Sequence, residues 1–580
     1  MSFRRTAIAL AALTLLIGTT ACASGGAPTN ATQQTGAGTE IRPSPARTLR
    51  IGVRAEPQTL SDKPLRTGGL AVSTTTRLFN AGLDLLDDHS VAQPYLAEAL
   101  PRLNTDTWRV FPDGRMETVY HLKPNLFWHD GTPLTADDFA FSWRVYATPD
   151  LGSSGAPPLT YMEEVAAPDA RTLVFRWRQT YPLAGTVARG SGSSLPPLPR
   201  HGLEGSFQEG QWDAFLAQPH WTREFTGLGP YQLDRWEPGV SLEGVAYAGH
   251  VLGRAKIERI QVSFFSDANT ALANLLAGSI DMAADNSLSF DQGIAVKREW
   301  APYNGGTLIL TPNNWRAVYV QLRDEMVKPR ALQDVRVRKA LAHALDRESM
   351  GELVFEGEGR VADIFLSPGA SYAQAIDRAI VKYGYDPRRS EQLMAEVGYA
   401  KGVDGQYVRA GEGKFTFELK TNAQAQNEKE RSIMAAAWRQ AGYEVEEAGL
   451  PASLGQDGQA RATYPGLYSF STPLGEAAFD NFTSVFIPRP ENRWTGNNRG
   501  AWSNPDYDRL MQTFNSTLSA EQRVEQMLQL TRMVTEDLPA ISLFYDQGPT
   551  PHVAALRGPG PVAAETTGKV AWNVQTWELE

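Results

Sequence analysis

The 580-residue sequence has one cysteine, Cys22, so no disulfide can form within the chain and no thiolate cluster can hold a metal. It has no His-Glu-x-x-His pair and no Gly-x-x-x-x-Gly-Lys-Ser/Thr loop, which removes the common signatures of zinc hydrolases and nucleotide hydrolases. Its eight histidines (89, 121, 129, 201, 220, 250, 343 and 552) stand singly and read as surface or satisfied core positions. Gly-Ser-Gly-Ser at 190–193 lacks the strand and helix that a nucleophile elbow needs. Acid pairs such as Asp137-Asp138 and Glu163-Glu164 read as caps and solvated faces, and nothing marks two carboxylates facing one cleft. Basic residues are not in excess: Lys and Arg number 55 against 65 Asp and Glu, a net charge of −10 that disfavours a nucleic-acid partner. No internal repeat is visible, and no apolar run beyond residue 21 could span a membrane. No metal, cofactor or catalytic group is expected.

What remains is the composition of an ordinary globular protein, 42% hydrophobic and 21% charged, long enough for two or three lobes. Residues 1–21 combine Arg4 and Arg5, an apolar run from Ala7 to Ile17 and small residues, the pattern of a secretory signal. Residues 23–47, rich in Ala, Gly, Thr, Gln and Pro, read as a flexible tether, and the globular part begins at Thr48.

The most informative stretch is Phe127–Trp143. Before it, Met116, Thr118, Tyr120 and Leu122 alternate with Glu117, Val119 and His121, as in a half-buried strand. Asp130-Gly131 marks a turn, Thr135 and Asp138 form a capping box, and Phe139, Ser142, Trp143 and Tyr146 form a helical stripe. Further on, Met162–Trp177 reads as a hairpin and residues 185–215 as loop. Tyr231–Trp236 alternates as a strand, so Gly227-Leu228-Gly229 before it is not a phosphate loop. Asp267 caps a helix closed at Gly278, and Ile280–Met282 starts a strand, implying a parallel pair with a crossover. Asp334 caps the helix of Asp334–Arg347, Ser519 and Gln522 cap a last long helix, and Ile541–Tyr545 reads as a buried strand.

These blocks resemble the extracytoplasmic solute-binding proteins of ABC importers, family 5, the dipeptide/oligopeptide/nickel type. Trp128, Asp130-Gly131-Thr132-Pro133-Leu134-Thr135-Ala136 and Asp138-Phe139 match its Trp-x-Asp-Gly-x-Pro-Leu-Thr-Ala-x-Asp-Val signature. Glu56–Leu60, Pro94–Glu98, Pro199-Arg200-His201, Gly227–Tyr231, Asp334–Arg347 and Asn504–Asp508 match other blocks in the family's order. The resemblance spans about Thr48 to Tyr545. Thr19-Thr20-Ala21-Cys22 resembles a lipobox, with Thr19 where leucine is preferred; the alternative is a soluble secreted protein whose signal merely contains a cysteine.

The resemblance implies an α/β fold of the periplasmic-binding-protein kind, a two-lobed cleft with an additional third domain (class II, large cluster type). Lobe I would take 48–75, 222–310 and 546–580, lobe II 76–221 and lobe III 311–545, with the hinge near 310 and 545. It implies capture of a peptide or peptide-like solute by lobe closure and delivery to an ABC permease, by a monomer anchored outside the cytoplasmic membrane through Cys22. A ligand-sensing lipoprotein of the same fold, signalling to a receptor, is the alternative. Peptide-binding members receive the peptide amine on an Asp in a Trp-x-x-Asp segment. The matching region here, Ser469–Phe482, lacks that segment, leaving Glu476 or Asp480 to hold a cationic group, or both as solvated loop acids. The loss keeps a non-peptide solute open. By position in the family pattern and by chemistry, Gln58, Tyr468, Trp494 and Asn497 are further ligand-binding candidates.

Overall fold

In a computed structural model, residues 48–580 are described except 64, 66–71, 153–156 and 188–194. Cys22, the signal segment 1–21 and the tether 22–47 lie outside the described residues. Among the described residues no helix is long and apolar enough to cross a membrane.

A ten-stranded mixed sheet runs through the molecule. Its order is Glu444–Leu450, Thr416–Asn422, Leu467–Pro473, Gly306–Val320, Ala540–Val553, Met282–Ala283, Thr48–Val53, Arg259–Phe264, Ser241–Ala246 and Tyr231–Glu237. Two of these strands are long and lie antiparallel at the centre, Gly306–Val320 and Ala540–Val553. The second is longer than the Ile541–Tyr545 expected from sequence. Pro549 and Pro551 suggest a break, yet they stay in register opposite Leu310 and Leu308.

Apolar side chains collect in three places along this frame. A first core gathers Leu49, Ile51 and Val53, the 225–309 region and Val570–Trp577. A second, spanning Leu65–Leu228, covers the four-stranded sheet Trp108–Val110, Met116–His121, Thr172–Trp177 and Met162–Asp169. A third lies on both faces of the far half of the main sheet, Val318 and Val320 on one side and Trp315, Ala317 and Tyr319 on the other. The period-two alternation of that strand is what splits its side chains between the two layers.

Around Asp138 the chain folds as its sequence suggests. Gly131 turns at φ +85°, the only backbone region where glycine is at an advantage. Asp138 accepts the N–H of Thr135 at 2.9 Å, completing the capping box of helix Ala136–Ala147. The other oxygen of the same carboxylate accepts the N–H of Arg200 at 2.9 Å. That bond helps start a helix, Arg200–Gln208, followed by Trp212–Leu216, where the sequence reads as loop. The reason is tertiary: Leu203 and Phe215 are buried in the second core, which local Gly, Ser and Pro content does not reveal.

The strand–helix–strand segment is also corrected in detail. Arg259–Phe264 and Met282–Ala283 are parallel, as a crossover requires, but they flank Thr48–Val53 instead of pairing with each other. Arg50 closes this arrangement with its Nε and Nη2 on Asp281, at 3.0 and 2.6 Å.

The Gly-Leu-Gly segment is a close-packing device. A side chain at Gly227 or Gly229 would lie 2.1 or 2.3 Å from the Phe79 backbone. His129 is buried against this loop. Its Nδ1 accepts the Gly227 N–H at 3.3 Å and its Nε2–H donates to the Gly229 carbonyl at 3.0 Å, so the ring is neutral. Burial pulls its pKa down to about 4, and likewise those of His220 to about 4 and His250 to about 3.

Acid should therefore destabilise this protein earlier than carboxylate titration alone would. The unfolded chain binds protons at these imidazoles that the folded chain refuses, so the contribution of neutral His129 is complete above pH 6.5 and lost as pH falls toward 4. At most it is on the order of 3 kcal/mol. In Tm measured from pH 7 to 4, His129→Gln is expected to be less stable at pH 7 and to fall less steeply; parallel profiles would refute the assignment.

Candidate ligand-binding site

The two long strands carry the chain from the first core to the third. Ile309 packs in the first core and Val553 packs against it, whereas Trp315 and Tyr545 belong to the third. Between them the register shifts at Pro312/Asn314, leaving Asn313 in a bulge. Against this stretch lies an inner cavity of about 260 Å³, walled by Thr74, Asp285, Asn286, Thr311, Asn313, Asn314 and Lys569.

Each wall has a local cause. Asp285 and Asn286 follow the strand Met282–Ala283 at its carboxyl end, both with positive φ, 46° and 58°. The Asp285 carboxylate accepts the N–H groups of Thr74 and Thr75, each at 3.1 Å, and the Thr75 hydroxyl at 3.0 Å, at the start of helix Ser73–Phe79. Burial raises its pKa, opposed by these donors. Lys569 donates to the Ala564 carbonyl, and burial lowers its pKa against the pull of Glu565 and Asp285. The Thr311 hydroxyl, on a side chain 5% exposed, has no hydrogen-bond partner among the described residues. A buried polar atom left unpaired is costly unless a bound molecule satisfies it.

Beside the inner cavity, Arg316 is held by two carboxylates, Asp546 at 3.1 Å and Glu430 at 2.7 Å, and by Ser471 and Asn427. Burial opposes its charge, but Asp546 and Glu430 outweigh burial and raise its pKa. This cluster fixes the third-core end of both long strands to helix Ala425–Ala441.

An outer cavity of about 620 Å³ lies between the second and third cores. The segment 562–570 touches both spaces: Lys569 and Val570 wall the inner one, and Glu565 accepts a hydrogen bond at 3.3 Å from Ser90, which walls the outer one. The Ala564 N–H donates to the Ser367 hydroxyl at 3.0 Å, tying this segment to the third core's side. Lys297 and Arg298, on helix Phe290–Trp300, pair with Glu358 and Glu356.

The sequence-derived candidates do not converge. Glu476 faces the outer cavity, where its carboxylate already meets Arg523 at 2.5 Å; their side chains are 15% and 11% exposed. Arg523 also donates to the Phe514 carbonyl at 2.7 Å and lies 3.8 Å over the Phe514 ring. Asp480 shares the 3₁₀ segment Glu476–Phe482 but walls neither cavity, and burial raises its pKa. Tyr468 is wholly buried in the third core, its hydroxyl 2.5 Å from Asn422 Oδ1. Trp494, half-buried at φ +59°, packs over Gly458, and nearby exposed Asn497 accepts from Arg499 at 3.2 Å. Gln58 is exposed after the first strand. Sequence reasoning passed over Asp285, Asn286, Thr311 and Lys569. Only the first two left a signal, a polar pair just beyond the carboxyl end of a parallel strand, where α/β sheets place ligands.

The family model for bacterial extracellular solute-binding proteins, family 5 (Middle), matches residues 98–485. The chain belongs to that family. It is a solute-binding protein, not an enzyme. It is 26% identical to the oligopeptide-binding protein AppA of Bacillus subtilis, over 96% of this chain and 95% of that one. It is 22% identical to heme-binding protein A of Haemophilus influenzae, over 95% of each. Its fold superposes on NikZ of Campylobacter jejuni, solved with Ni(L-His), with a TM-score of 0.66 at 21% identity, covering 92% of this chain and all of that one. The α/β fold is thus that of family 5.

The Glu476–Arg523 pair gives a direct test of the outer site. Removing either partner takes the ion pair from a largely buried charge, so the costs of Arg523→Ala and Glu476→Gln should together exceed the cost of the double variant. A coupling of about 1–3 kcal/mol is expected in urea unfolding of the two single variants and the double; additive effects would mean the pair is energetically idle.

Proposed function

We propose that this solute-binding protein captures a peptide or peptide-like solute in the inner cavity and delivers it to an ABC permease, held outside the cytoplasmic membrane by lipidated Cys22. The observation that carries this reading is the polar cavity on the bulge of the two long strands, with the unpaired Thr311 hydroxyl and the buried Lys569 ammonium at its wall. A peptide unit offers both donors and acceptors to such a wall, and the naming of AppA for oligopeptides favours it. The three cores act as the lobes I, II and III expected from the sequence, and the long strands act as the hinge near 310 and 545, so that solute binding favours closure.

A second reading, a non-peptide solute sensed by the same fold and signalled to a receptor, is favoured by one specific contact. Glu476 is already neutralised by Arg523 and Asp480 walls neither cavity, so neither acid expected to hold a peptide amine is presented for one. The relatives' names span heme as well as peptides, and the NikZ structure holds Ni(L-His).

Native mass spectrometry of the protein from Ser24 onward, purified from its own host and then denatured, tests the reading directly. A released peptide ladder is expected, and a single non-peptide mass would establish the second reading. With the released solute as ligand, Thr311→Val and Lys569→Met should each weaken binding about tenfold in calorimetry, near 1.4 kcal/mol. Unchanged affinity in both would remove the inner cavity from the site. Cys22→Ala should move the protein from the membrane fraction to the soluble one.

A further inference from the structure

The outer cavity has no part in the reading above, and its walls have a different chemistry. One wall comes from the second core, Leu100, Trp108 and Leu183, and the other from the third, Tyr372, Val524 and Met527. Leu100, Leu183, Tyr372 and Val524 pack only partly against their own cores, so apolar surface is left facing the gap from both sides. Gly185 shapes one wall: a Cβ there would lie 2.6 Å from the Trp108 ring, so only glycine lets the indole lie flat against the backbone. The charges at the cavity, Glu476 and Arg523, neutralise each other, and Arg523 is further occupied by the Phe514 carbonyl and ring. Nothing in this pair recruits a net charge. About 620 Å³ lies within the usual range for ligand pockets, roughly 300–1,000 Å³.

We propose that this cavity is a binding site for an uncharged aromatic group, seated between the second and third cores. Resting on the solute-capture reading, this gives the solute class: one carrying a bulky aromatic substituent beside its polar part. Because the two walls belong to different cores, the occupant touches both and draws them together. Burying one large apolar group there should tighten binding by roughly 10- to 100-fold over a solute without it.

The test uses N-acetyltryptophanamide as an uncharged aromatic probe and N-acetylglycinamide as its control, by saturation-transfer NMR on the protein from Ser24 onward. Ala375 and Ala520 stand exposed at the rim, so Ala375→Trp and Ala520→Trp fill the cavity without touching a core. Each variant's Tm is expected to match the parent's. Binding of the tryptophan probe by the parent protein, weakened at least tenfold in both variants, with no signal from the glycine probe, is the expected result. No binding by the parent, or equal binding by parent and both variants, overturns the proposal. Solute release in native mass spectrometry is read separately. A retained solute with no probe binding ends this proposal alone, whereas an empty parent protein that binds the probe, with that binding lost in the filled variants, ends the capture reading alone.

Discussion

The antiparallel pairing of Gly306–Val320 with Ala540–Val553 is the constraint on which the rest depends. These strands are the part of the ten-stranded sheet shared by the first and third cores, and every other strand of that sheet lies on one side of them or the other. Their ladder satisfies the backbone across the boundary, where few apolar side chains remain to hold it. The bulge at Asn313 interrupts the ladder at the crossing. That interruption aims Thr311, Asn313 and Asn314 at one space and leaves the pair able to bend. On the third-core side the register shifts again between Arg316 and Ala317, and there Asp546 and Glu430 clamp the Arg316 side chain.

Two spaces with opposite character lie along the boundaries between the cores. The inner one is lined by amides, hydroxyls, a carboxylate and an ammonium group, of which the buried Thr311 hydroxyl is costly to leave unpaired. The outer one presents apolar side chains and a self-neutralised ion pair. The segment 562–570 adjoins both, and its contacts with Ser90 and Ser367 reach the second and third regions from a chain end that packs in the first. A change at this segment would be felt by all three.

The capping boxes, the hairpin, the strands at Thr48 and Tyr231 and the long final helix were legible because each is written in adjacent residues. Asp138 shows where legibility stopped. Its bond to Thr135 lies within one helical turn and could be read, but its bond to Arg200 spans 62 positions and started a helix that local composition argues against. The site was less legible than the fold for the same reason. Glu476 looked available to a ligand until the structure brought Arg523 to it from 47 positions away. Lys569 and Thr311, 258 positions apart, share a cavity without any motif linking them.

The order of blocks along the chain, by itself, determined the family, the α/β class and the expectation of binding without catalysis, because local caps, turns and periodicities recur wherever the same elements must form. The tertiary structure decided which charges are free and which are spent, and where empty space lies. Those properties depend on distances between residues far apart in the chain, and a single sequence carries no record of such distances.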